Sequence, residues 1–338
     1  MMKSLICTTP GQFEYQDIEH PVLEEGYSLL KIKRIGICGT DLHAFEGTQP
    51  YFEYPRILGH ELAAEYVAGD AEGFVPGEAV TFIPYFYCGK CIACRSGKEH
   101  CCQNIKVCGV HIHGGMTEYL RVPSYSLIHG EGLSYDELAL VEPLAIGAHG
   151  VRRADVQPGE FVLVMGAGPI GLGIIEFARI AGGKVIALDV NDQRLQFCKD
   201  KLEVPYTINA AKENVSERLK EITGGDFPTV VIDATGNRNA INGGFLYMAH
   251  GARYVLVGLQ KGELVVSHPE FHKREATLMS SRNANRIDFE HVVACMKKGW
   301  VKPTTYITHR VQFNQVKDEF ANWLKPEFGV IKAMVEVE

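Results

Sequence analysis

Four cysteines arranged as Cys88-Gly-Lys-Cys91-Ile-Ala-Cys94, followed by Cys102, form a C-x2-C-x2-C-x7-C pattern. Two-residue spacers let neighbouring sulfurs turn toward one point. Four thiolates around such a point make a tetrahedral zinc site with no coordination position left for a substrate. Cys101 adjoins Cys102 and offers an alternative fourth sulfur. Free buried thiols or two disulfides would be the other accounts, and the density of the cluster favours metal. A site of this kind staples a lobe and performs no chemistry of its own.

A second pattern binds phosphate. Gly166-Ala-Gly168-Pro169-Ile170-Gly171 directly follows the apolar run Phe161-Val-Leu-Val-Met165 and opens a predicted helix over 169–181. Glycines there let the backbone turn sharply and approach a pyrophosphate, whose charge rests on the helix N-terminus. Asp189 ends the next predicted strand, eighteen residues beyond Gly171. It is placed to accept hydrogen bonds from ribose hydroxyls and to repel a 2′-phosphate, which favours NAD over NADP. Arg194 argues the other way, since a nearby guanidinium accommodates a phosphate. A Gly-rich turn with only a packing role is the bland alternative.

A third set surrounds the cysteine lobe: Gly36-Ile-Cys38-Gly-Thr40-Asp41-Leu-His43, then Gly59-His60-Glu61, then Val141-Glu142-Pro143. A Cys, a His and a carboxylate can hold zinc and leave one position open. Singly these residues are weak signals, because a lone Cys is usually core and a lone His usually a hydrogen-bonded structural residue.

The elements that must position these groups differ along the chain. The first third carries short runs such as Leu29–Ile35 and Leu120–Pro123, broken by Gly and Pro, the texture of a small barrel. From about residue 148 apolar strands alternate with amphipathic helices: strands at 161–165, 184–188, 229–233 and 254–258, with a helix around 193–201. A chain of 338 residues suggests two domains. The expected division is 1–148 with 289–338 against 149–288. The net charge of −7 argues against a nucleic-acid partner. No segment is expected to span a bilayer, and the opening residues lack the apolar run of a signal peptide. With ten cysteines and no secretion signal, a cytoplasmic protein with reduced thiols is expected.

Taken together, the motifs resemble those of zinc-containing medium-chain alcohol dehydrogenases, in the polyol and sugar dehydrogenase branch, over essentially the whole length. The resemblance implies an α/β fold: a GroES-like β-barrel catalytic domain, to which the C-terminal segment returns, plus a doubly wound Rossmann domain. It implies two zinc ions per chain and NAD. Cys38 and His60 would hold the catalytic zinc, with Glu61 and Glu142 as the candidates for the remaining carboxylate, since such enzymes exchange them. Cys88, Cys91, Cys94 and Cys102 match the structural zinc lobe. Thr40 and His43 match the positions that relay a proton to solvent. Asp233, Thr235 and Gly236, then Val257, Gly258 and Leu259, then Ser281 and Arg282, match segments lining the cofactor.

Finer segments, among them Gly109–Gly115 and 269–273, resemble those of hexonate dehydrogenases. They imply oxidation of a secondary hydroxyl of a sugar acid of the L-galactonate or L-gulonate type, with His111, His113 and Arg282 as candidates to meet the carboxylate. Tyr51, Phe52, Tyr54, Tyr85 and Phe86 are candidates either for pocket walls or for domain core. Sorbitol-type polyol oxidation and L-threonine 3-dehydrogenation are the alternatives, and an NAD-sensing protein without turnover is the non-enzyme alternative. A homodimer or homotetramer is expected by the same resemblance.

Overall fold

The run Phe161–Met165 becomes a strand whose last four residues are fully buried, because helices and neighbouring strands cover both faces. In this computed structural model, which describes residues 1–50 and 52–338, the strand is central to a six-stranded parallel sheet. The order is Tyr206–Asn209, Lys184–Asp189, Phe161–Met165, Val230–Asp233, Arg253–Leu256, Thr277–Ser280. Numbered along the chain this is 3-2-1-4-5-6, the order of a doubly wound dinucleotide-binding domain. These strands belong to one compact unit, Leu144–Ala284. Its core includes Leu163, Ile186, Val231, Leu219 and Tyr254. Each aliphatic side chain fully buried there contributes about 1.5–3 kcal/mol.

The other unit comprises Met1–Pro143 and Asn285–Glu338. Its main sheet is organised around Tyr27–Gly36, which pairs antiparallel with Glu61–Gly69, Tyr119–Pro123 and Lys332–Glu336. Ala79–Phe82, Leu127–His129 and Ile307–Gln312 extend it. Alternate side chains point inward from Ser28 to Ile32, and an irregularity between Ile32 and Arg34 shifts the phase, so Leu30, Ile32 and Ile35 all join Leu62, Val80 and Phe82 in one core. Smaller sheets are Gln12–Ile18, Met2–Thr9, Arg56–Ile57, and the pair Tyr85–Phe86 with Lys106–Val107. The units divide at 143/144 and 284/285, where the sequence reading has 148/149 and 288/289. Asn285 caps the helix Arg286–Lys297, and Glu142 lies in the first turn of the helix Val141–Ala154. Among the described residues no helix is long and apolar enough to cross a membrane.

The glycine loop shows how closely the parallel sheet and its first helix pack. Gly166 has φ +95° and donates its N–H to Leu188 O at 2.7 Å. A Cβ at Gly171 would stand 1.8 Å from Gly166 O. Gly171→Ala is therefore expected to destabilise the protein by about 1–3 kcal/mol, as overpacking does. Denaturant unfolding of the variant checks this, and an unchanged midpoint would contradict it.

Candidate active site and metal centres

Asp41 organises the first cluster. Cys38 stands just ahead of the helix Gly39–Glu46, and its N–H donates to Asp41 Oδ2 at 3.0 Å. Gly59 N–H donates to Asp41 Oδ1 at 3.1 Å, and His60 Nδ1 lies 3.6 Å from the same oxygen. One buried carboxylate thus ties the helix start to the turn that leads into strand Glu61–Gly69. Gly59, at φ +94°, permits that turn. Cys38 Sγ, a ring nitrogen of His60 and a carboxylate oxygen of Glu61 lie within 4.8 Å of one another.

Glu61 faces Gly36 across the antiparallel pair. A Cβ at Gly36 would sit 2.3 Å from Glu61 Oε2, so the absent side chain makes the carboxylate's room. Behind it, the fully buried Lys332 donates to both Glu61 oxygens at 2.7 and 2.5 Å and to Ile37 O at 3.1 Å. Glu142 is also buried and accepts a hydrogen bond from the Tyr85 hydroxyl.

Charge is crowded here. Burial drives the Glu142 carboxyl up, and the nearby Glu61 charge adds to this, while His60, Tyr85 and Lys332 pull it back, leaving it at about 7. Burial opposes a charge on His60, yet Asp41, Cys38 and Glu142 together hold its imidazolium well above the ordinary histidine range. Burial likewise opposes the Lys332 charge, and Glu61, Cys38 and Glu142 keep it raised.

The second cluster brings Cys88, Cys91, Cys94 and Cys102 within 4.8 Å of one another. Cys91 Sγ is 3.4 Å from Cys94 Sγ and 3.9 Å from Cys102 Sγ, and no cysteine of the chain is in a disulfide. The Cys102 sulfur accepts the backbone N–H groups of Cys88 and Asn104, each at 3.3 Å. Backbone N–H groups of Lys90 and Cys91 lower the Cys88 thiol to about 6. The neighbouring Cys101 is exposed, so the fourth sulfur of the group is Cys102.

In the other unit, Gly168 precedes the helix Pro169–Ile180, with Pro169 in its first turn and Ile170 half-buried. Asp189 is buried at the end of its strand. Its oxygens accept N–H groups of Ala167 at 2.7 Å and Asn191 at 2.9 Å, and Arg194 Nη1 lies 3.9 Å away. Asp233 is fully buried and shapes its own loop: its carboxylate accepts from Thr235 N at 3.2 Å, Thr235 Oγ1 at 2.5 Å and Gly236 N at 3.2 Å. Val257 and Gly258 N–H both donate to Asp233 O. Thr235, Leu259 and Arg282 are exposed, and Ser281 Oγ is buried with no hydrogen-bond partner among the described residues.

The chain is similar to known proteins in sequence and in fold. Residues 24–131 match the alcohol dehydrogenase GroES-like domain and residues 169–298 the zinc-binding dehydrogenase family. The chain is 43% identical to L-galactonate-5-dehydrogenase of Escherichia coli K12, over 99% of this chain and 98% of that one. The chain belongs to the zinc-type medium-chain alcohol dehydrogenases. It is 27% identical to a sorbitol dehydrogenase of Bacillus subtilis 168, over 99% of this chain and 97% of that one. The crystal structure of RspB from Escherichia coli CFT073, complexed with NADH, superposes with a TM-score of 0.92 at 30% identity, covering 99% of both chains.

As a member of this family the chain is an oxidoreductase with a GroES-like unit and a Rossmann unit. Both clusters suit zinc. One offers a thiolate, an imidazole and a carboxylate, the other four sulfurs with N–H donors already aimed at them. In the first cluster, Asp41, Glu61 and Glu142 are answered by the Lys332 ammonium and by a proton they hold on His60, and a dication there would take that proton's place. Of the remaining sequence-selected residues, Thr40 is half-buried and His43 exposed, three positions apart on one helix. His43 Nδ1 is 3.4 Å from Glu46 and 3.3 Å from Thr48 Oγ1. His111 and His113, considered for a substrate carboxylate, each use Nδ1 to accept a backbone N–H, from Val107 at 3.0 Å and Ile57 at 3.1 Å. Tyr51 lies outside the described residues.

Sequence reasoning assigned no role to Lys332, Gly36 or Asp41. The available signal for Lys332 was a lone charge inside the apolar run Val330-Ile-Lys-Ala-Met-Val335. Removing that charge strands a buried carboxylate. Lys332→Met is expected to cost about 3–5 kcal/mol in urea unfolding. A loss below about 1 kcal/mol, the level of a surface pair, would contradict the pairing.

Proposed function

We propose that this protein is an NAD-linked, zinc-dependent dehydrogenase that oxidises a secondary hydroxyl of a six-carbon sugar acid, of the L-galactonate or L-gulonate type, to the keto acid. The observation that carries the chemistry is the convergence of Cys38, His60 and Glu61 within 4.8 Å. What favours a sugar acid is the 43% identity to an L-galactonate dehydrogenase over nearly the full length of both chains.

In this reading Cys38, His60 and Glu61 hold the catalytic zinc, with Glu142 the second carboxylate at the site, and Cys88, Cys91, Cys94 and Cys102 hold a structural one. A zinc ion at the first position supplies a Lewis acid that makes a substrate hydroxyl easier to deprotonate. Asp41 holds the Cys38 and Gly59 backbones in register, and Lys332 pairs with both oxygens of Glu61. Thr40 accepts the released proton through its hydroxyl and passes it along the helix face to His43, which is exposed to water. Gly166, Gly168, Pro169, Ile170 and Gly171 receive the cofactor pyrophosphate. Asp189 takes the adenosine ribose, Arg194 stands beside it, and the loops at 233–236, 257–259 and 281–282 line the remainder. The reaction runs in the cytoplasm, where ten unpaired cysteines persist, in a homo-oligomer.

Sorbitol oxidation is the second reading, favoured by the likeness to a sorbitol dehydrogenase and by the backbone bonds that occupy His111 and His113. Steady-state kinetics with L-galactonate, L-gulonate, sorbitol and L-threonine decide between them, and a preference for sorbitol or threonine would reject the sugar acid. Asp189→Ala is expected to raise KM for NAD and to narrow the preference over NADP, because a ribose acceptor and a repulsive charge both vanish. Equal use of the two cofactors by the parent would reject the NAD assignment. Elemental analysis should find two zinc ions per chain in the parent and one in Cys91→Ser, with lower thermal stability. Two ions retained in that variant would reject the four-cysteine site.

A further inference from the structure

Glu142 is held by a residue that belongs to the stem of the four-cysteine lobe. The lobe, Cys88 to Cys102, hangs on a two-stranded neck in which Tyr85 pairs with Val107 and Phe86 with Lys106. The neck is braced on each side. Cys108 N–H donates to Pro84 O at 2.9 Å, Val107 N–H to His111 Nδ1 at 3.0 Å, and Tyr87 N–H to Tyr125 Oη at 3.1 Å. From this stem the Tyr85 side chain runs inward and is 4% exposed, with its ring edge-on to Phe289 at 6.3 Å and 75°. Its hydroxyl donates to Glu142 Oε1.

The geometry is that of a fixed donor and an otherwise loosely set acceptor. A terminal carboxylate torsion has broad preferences and does not choose its own angle. Glu61 has Lys332 on both oxygens and the wall at Gly36 to set it, whereas Glu142 has a phenol on one oxygen. We propose that Tyr85 is a positioning residue, which holds the Glu142 carboxylate at the Cys38–His60–Glu61 site from the rigid neck of the cysteine lobe. The proposal rests on the reading of that site as a metal site. It gives the lobe a second consequence beside stapling the fold, since the register of its neck determines where the phenol stands.

Tyr85→Phe removes one hydroxyl and keeps the ring that packs on Phe289. The test uses the full-length protein with cobalt exchanged into its chelator-labile site. Absorption of the bound cobalt, metal release to a chelator, zinc retained in the lobe, and kcat and KM are then measured. Tyr85→Phe should keep its lobe zinc and a near-parental melting temperature. It should release the labile metal, or turn over, about 10–100-fold differently from the parent, the range seen when a residue that orients a metal ligand is lost. The cobalt spectrum should change, and kcat should fall with little change in KM for NAD. On a Glu142→Gln background the same substitution should add nothing. A parental cobalt spectrum and release rate in Tyr85→Phe would overturn the proposal, as would a full additional effect on the Glu142→Gln background. If Tyr85→Phe does not fold, Tyr85→Leu carries the same comparison, and a parental spectrum in that folded variant overturns it. A parent that binds metal only in the four-cysteine lobe would overturn the metal-site reading and this proposal with it, a result distinct from the others.

Discussion

Concentrating negative charge in a protein interior is costly unless each group finds a partner, and the barrel unit is arranged around that constraint. Asp41, Glu61 and Glu142 are all buried within electrostatic reach of His60. Lys332 answers Glu61 with two hydrogen bonds, backbone N–H groups answer Asp41, and a phenol answers Glu142. A buried charge stripped of its partner costs several kcal/mol, so these pairings are conditions for the fold as well as for chemistry. The C-terminal strand is central to this. It pairs with Tyr27–Gly36 and delivers a buried ammonium to the site.

The two donor clusters use opposite physical strategies. In the cysteine lobe the donors are local, fourteen positions from first to last, and backbone N–H groups hold the sulfurs close. In the other cluster the donors come from the start of a helix, from a glycine turn and from the first residue of a strand. Long-range sheet pairing and Asp41 bring them together. A closed site of sulfurs needs only a tight loop. A site that keeps a position open for substrate needs donors from separate elements, so that no single loop wraps the ion.

The Rossmann unit applies the same economy to its glycine loops. Gly166, Gly171, Gly236 and Gly258 sit where a Cβ would strike backbone at 1.8–3.2 Å. Asp233 spends its carboxylate on the Thr235–Gly236 turn, so its contribution is to the shape of the loop. Asp189 likewise steadies the glycine loop through Ala167 N–H while standing at the strand end.

Much of this was legible in the chain alone, where the signal is local. The strand Phe161–Met165 emerges with the expected bounds, the helix predicted over 169–181 ends one residue earlier, and the strands expected at 184–188 and 229–233 shift by one residue at one end. Continuous apolar runs and the glycine fingerprint carry that information because hydrophobic period and turn chemistry act over a few residues. Cysteine spacing likewise placed three sulfurs together without a fold. The structure decided what depends on distance along the chain: Cys102 over Cys101 as the fourth sulfur, Glu61 as the carboxylate grouped with Cys38 and His60, and the partners of each acid. Lys332 stands 271 positions from Glu61, and no periodicity or motif links the two. Only the pairing of the C-terminal strand with Tyr27–Gly36 brings them into contact, since burial charges a price for an unpaired ion that is settled in three dimensions.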